Sequence, residues 1–139
     1  MPVLASLAPA LTAVRLSLHV LGATVWVGGQ ITVLGLLPTV RSLGEGAPKA
    51  VARSLARLLW PAYALLVVTG VWNIEADHPG RQPAAWVAVL GVKIGVVALA
   101  GLATWLHSHT TSRRAVALWG ALAGLSSVAA LVLGVLLAG

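Results

Sequence analysis

Apolar residues run through this chain in four long stretches, at about Leu11 to Pro38, Leu55 to Ile74, Ala84 to Leu106 and Ala115 to Ala138, with the polar residues gathered between them. About 20 consecutive apolar residues cross a hydrocarbon core ~30 Å thick as a helix, so each stretch predicts one transmembrane helix. The expected class is an all-α integral membrane protein, an antiparallel bundle of four transmembrane helices forming one domain over residues 1–139. The first stretch is too long for a signal-peptide core and has no basic segment before it, so it is expected to be retained in the membrane.

Composition agrees with the pattern. Hydrophobic residues make up 59% of the chain, charged residues only 9%, and mean hydropathy is +0.97, whereas soluble domains are about a quarter charged. Membrane lipid is the first partner this implies. Basic residues in short connections resist translocation. The connection from Arg41 to Arg57 holds Arg41, Lys49, Arg53 and Arg57 against Glu45 alone, and the third connection holds Arg113 and Arg114. Both are expected on the cytoplasmic side of the cell membrane. The middle connection, Asn73 to Pro83, is marked as a turn by Gly80 and Pro83 and is expected outside, as are both termini. The net charge of +6 is spread along these membrane edges with no basic patch or motif, so nucleic acid is not an expected partner.

Cysteine is absent and Met1 is the only methionine. A disulfide, an iron–sulfur cluster, a thiolate zinc site and covalently attached haem are therefore excluded. A dedicated copper(I) path, which favours sulfur ligands, is poorly supported. No glycine-rich phosphate loop or nucleophile elbow is present, and all three acids lie between the spans.

The spans do contain three ionisable residues, Arg15, His19 and Lys93. Such groups cost at least ~2.5 to 3.5 kcal/mol at mid-span, which makes each a candidate for function. Arg15, His19, Gly22, Trp26 and Gly29 fall on one helical stripe, and Trp86, Lys93, Ala100 and His107 on another with Thr104 alongside. At ~1.5 Å per residue, His19 lies about 12 Å and Lys93 about 13 Å in from the outer ends of their spans. His107 and His109 lie roughly 20 Å or more from His19 in depth, too far to share a metal with it. No span contains an acid. Glu75, Asp77 or an anionic ligand must therefore balance Arg15 and Lys93. Haem b suits such a place, being flat and apolar, needing an imidazole on iron, and ending in two propionates that cations hold. Trp26 and Trp72 are candidate walls.

Plainer roles are open to the same residues. Arg15 can snorkel to the outer surface, His19 can serve as a polar helix contact, and Lys93 can be structural. His107 and His109 are expected at the wet inner surface. Trp60, Trp105 and Trp119 read as interfacial anchors, and Gly28, Gly29, Ser126 and Ser127 as helix-contact residues.

The run Leu18-His19-Val20-Leu21-Gly22-Ala23-Thr24-Val25-Trp26-Val27-Gly28-Gly29, closing at Leu37-Pro38, resembles the first helix of the copper-resistance D (CopD) domain. Val92-Lys93-Ile94-Gly95-Val96-Val97 resembles that family's lysine-bearing third helix. The same pattern is similar to the HemJ-type protoporphyrinogen oxidases, four-helix membrane proteins that bind haem b. The resemblance implies that their first-helix histidine and third-helix lysine correspond to His19 and Lys93. The chain departs from the HemJ-type pattern at Ile31 to Leu37, which carries no aromatic residue or arginine. That favours haem binding over porphyrinogen oxidation as the implied role.

The expected function is that of a membrane haem b redox protein, with metal ligand His19 and with Lys93 and Arg15 facing the propionates or a porphyrin-like substrate. A bis-histidine iron would need a histidine from another chain, and so a homo-oligomer, or an inward-turned His78. The alternatives are an ion-handling transport protein of the CopD type and a structural subunit of a membrane complex.

Overall fold

All four apolar stretches are helices. A computed structural model describes residues 2–139, with side chains from Pro9 onward. The helices are α1 (Pro2–Ser42), α2 (Ala47–Asp77), α3 (Ala84–His109) and α4 (Arg113–Ala138), with one 3-10 turn at Pro79–Arg81 and no strand among the described residues. Each helix is long and apolar enough to cross a membrane. Even α3 and α4, at 26 residues each, reach about 39 Å at a rise of ~1.5 Å per residue.

The first two helices run past the hydropathy reading: α1 begins at Pro2 instead of Leu11 and ends at Ser42 instead of Pro38, and α2 begins at Ala47 instead of Leu55. The stretch from Arg41 to Arg57 is not a connection but mostly helix, and only four residues, 43–46, break it. Gly44 ends α1 in a left-handed conformation, with φ +124°, that a side chain would strain. Helix resumes at Ala47, with Pro48 in the first turn, where its missing N–H is no loss. Lys49, Arg53 and Arg57 then ride at four-residue spacing on an exposed face of α2. Lysine, arginine, alanine and leucine are all good helix formers, so hydropathy falls there while helicity does not. The middle turn forms but is shorter than expected, because α2 runs on through Asn73 to Asp77, so Glu75 and Asp77 lie in its last turn and only residues 78–83 connect α2 to α3. His78 closes α2 in the left-handed region, and Pro83 precedes α3 in an extended conformation.

The chain divides into two compact units, Met1–His78 and Pro79–Gly139. In the first, α1 and α2 pack antiparallel. Trp26, Val27, Leu59 and Ala62 form its buried core, with Val25, Leu55, Tyr63 and Leu66 packed against them. Trp26 lies 4.7 Å from Tyr63 and 5.9 Å from Trp60 between ring centroids, and Trp60 meets Tyr63 edge-on at 5.8 Å. Trp60 is thus part of a packed aromatic cluster as well as a residue near a span end. Small residues let the two backbones approach. A Cβ on Gly22 would lie 3.1 Å from Leu66 and 3.2 Å from the Ala62 carbonyl, and one on Gly29 2.9 Å from Leu59. A Cβ on Gly28 would meet nothing within 4 Å, so Gly28 does not face α2. It stands about 100° round the helix from its neighbour, so only one of the pair can face α2.

In the second unit, α3 and α4 pack antiparallel across the three-residue connection 110–112. The Trp86 indole N–H donates to the Leu137 carbonyl at 3.2 Å near one end, and His107 Nδ1 to the Val116 carbonyl at 2.8 Å near the other. Ala100, Ala103, Ala123, Ser126 and Ser127 are buried. Both serine hydroxyls donate to carbonyls of their own helix, at Leu122 and Ala123.

The distribution is that of a protein solvated by hydrocarbon. The most exposed large side chains include Leu125 and Leu34, while the buried set includes Arg15, Thr69, Ser126 and Ser127. Lipid tails are as apolar as leucine, so there is no gain in hiding it from them, and the polar groups turn inward to find partners.

Candidate functional site

The stripe read on α1 lies against α2. Arg15, Gly22 and Trp26 are buried, and His19 and Gly29 are partly buried. Opposite them, Thr69, Asn73 and Asp77 repeat every four residues along α2, so two short polar ladders face each other inside the first hairpin.

His19 Nδ1 lies 2.8 Å from the Thr69 hydroxyl oxygen. Thr69 is only 1% exposed, and its hydroxyl also lies 2.6 Å from the Leu65 carbonyl one turn back. A Cβ on Gly70 would lie 3.7 Å from His19 Cε1, so the imidazole sits over the backbone of α2 where no side chain intervenes.

Arg15 is 7% exposed. Its Nη1 donates to the carbonyls of Trp72 at 3.5 Å and Asn73 at 3.4 Å and lies 4.0 Å from Asp77 Oδ1. These groups belong to the C-terminal end of α2, where the helix dipole and the last carbonyls favour a cation. A guanidinium has five N–H donors, of which Nη1 carries two. Glu75 is exposed. Asn73 Oδ1 is buried and has no hydrogen-bond partner among the described residues, which adds an acceptor to the seam.

Trp26 lies two turns from His19 along α1, inside the aromatic cluster, where it holds α1 to α2. Trp72 is exposed on α2. Lys93 belongs to the second unit. A Cβ on Gly134 of α4 would lie 3.1 Å from its Nζ, so the absence of a side chain at Gly134 makes room for the ammonium. His107 and His109 are exposed in the last turn of α3, and His109 stacks on Trp105 at 4.4 Å. His78, exposed, caps α2.

Thr69 and Asn73 were not picked out by sequence reasoning. The available signal was their four-residue spacing with Asp77 inside an otherwise apolar run.

What this arrangement can hold follows from its donors. Among the described residues no group of three or more His, Cys, Asp or Glu side chains is close enough to bind a metal ion. A haem iron makes a different demand, because the porphyrin brings its own ring nitrogens and the protein need supply one or two axial groups. One imidazole within a membrane span, with a guanidinium one helical turn away, fits that demand. Comparison with protein-family models, with curated proteins and with solved structures finds no match to this chain.

Proposed function

We propose that this chain is a membrane haem b protein of redox function, of the CopD-like or HemJ-type kind, in which His19 is an axial ligand. The observation that supports it best is an imidazole inside a membrane-spanning hairpin, anchored through Nδ1 to a buried hydroxyl. Bound haem b would supply a one-electron couple inside the bilayer. The chain's own residues do the rest. His19 presents a nitrogen lone pair, and Thr69 orients the ring. Arg15 brings a positive charge one turn from His19, with donors beyond those α2 engages, toward a propionate or a porphyrin-like substrate. Lys93 is a second cation suited to an anionic group of that kind.

The test is the optical spectrum of protein purified without added cofactor. A Soret band with sharp reduced α and β bands is expected. Bound metal without a Soret band would favour ion handling, and neither would favour a structural subunit.

The proposed orientation puts both termini and the 78–83 turn outside, in the cell membrane. The chain has no native cysteine, so single-cysteine variants report without background. Ser42→Cys and Ser112→Cys are expected to be labelled only from the cytoplasm, and Gly80→Cys only from outside. Cytoplasmic labelling at Gly80→Cys would invert the orientation.

A further inference from the structure

Thr69 has one hydroxyl proton and two close neighbours. Its oxygen lies 2.6 Å from the Leu65 carbonyl and 2.8 Å from His19 Nδ1. A carbonyl oxygen can only accept, and two oxygens 2.6 Å apart with no proton between them repel. The hydroxyl proton is therefore directed to Leu65, which leaves a hydroxyl lone pair facing the imidazole. Nδ1 must then be the donor. In a neutral imidazole one nitrogen donates and the other accepts, so the lone pair resides on Nε2.

We infer that Thr69 is the positioning residue of His19, holding the imidazole in its Nδ1–H form so that Nε2 is the atom that ligates iron. The identity of the metal rests on the haem reading; the tautomer rests on the Thr69 geometry alone. Thr69 holds the ring at Nδ1, and the glycine at position 70 leaves Cε1 room beside α2. A hydroxyl already donating to a carbonyl is the stronger acceptor, because successive hydrogen bonds polarise one another. The imidazole becomes a stronger electron donor to iron, which favours the ferric state and lowers the reduction potential. A threonine kept in a helix only to bond its own preceding turn would have none of these effects.

The test uses the full chain in detergent or nanodiscs. In histidine-labelled, haem-free protein from haem-deficient cells, nitrogen NMR is expected to show His19 protonated at Nδ1. Thr69→Val keeps the β-branch and loses the hydroxyl, and should shift the population toward Nε2–H, while Thr69→Ser restores the wild-type form. In protein from haem-replete cells, Thr69→Val should bind haem 10- to 100-fold more weakly, on the order of other losses of a ligand's hydrogen-bond partner, and raise the midpoint potential, with Thr69→Ser again close to wild type. Thr69→Ala, which cannot overpack, serves if the valine protein does not fold. The inference is overturned if His19 stays Nδ1–H in either hydroxyl-free variant. A wild-type protein with no Soret band overturns the haem reading instead, and the tautomer comparison still decides the role of Thr69.

Discussion

On the haem reading proposed above, His19→Ala is expected to abolish haem binding. Purified from haem-replete cells, this variant is expected to lack the Soret band expected of wild type, a loss of at least about 100-fold in haem-to-protein ratio, at the upper end of what removing a ligand's partner alone costs. His107→Ala and His109→Ala are expected to keep the band. The distinction does not lie in tautomer, because His107 and His109 also direct Nδ1 at backbone carbonyls, those of Val116 and Trp105. It lies in setting. Those two are exposed in the last turn of α3, whereas His19 lies within a span, against α2. A normal Soret band in His19→Ala would sink the ligand assignment.

Trp26→Ala is the largest structural perturbation expected. Trp26 is 3% exposed and packed on Trp60 and Tyr63. Truncating a buried tryptophan to alanine costs about 3–5 kcal/mol in soluble cores. In lipid the hydrophobic share fades while the lost packing contacts remain, so about 3 kcal/mol is expected here. Unfolding of the haem-free protein by a denaturing detergent should show it as an earlier midpoint, with Trp26→Phe in between. If Trp26 were instead chiefly a wall for a flat ligand, Trp26→Ala would lose haem while its haem-free stability stayed at the wild-type value.

Hydropathy and periodicity carried most of the architecture, because a membrane imposes a single requirement that every span repeats. The starts and ends of α3 and α4 lie within three residues of the boundaries read from apolar length. Where α2 begins was harder to see. Lys49, Arg53 and Arg57 end the apolar run but not the helix, since lipid solubility and helix propensity are different properties. The stripe on α1 was legible because Arg15 and His19 are conspicuous in a span. Thr69 was not, for a threonine is unremarkable among Leu65, Leu66, Val67 and Val68, and its significance depends on a partner 50 positions away. The glycines show the same limit. Gly22 and Gly29 share the stripe and meet α2, while Gly28 does not, and composition alone treats all three alike.

Arg15 has a consequence for how the protein is made. Its partners on α2, the carbonyls of Trp72 and Asn73, are 57 and 58 residues farther along the chain. While only α1 has left the ribosome, its guanidinium has none of them, and a lone arginine at mid-span costs at least ~2.5 to 3.5 kcal/mol. The first helix therefore gains stability in lipid when the second arrives beside it. The guanidinium finds its α2 partners only in the paired state, so the hairpin, more than the single helix, is the unit whose stability in the membrane counts.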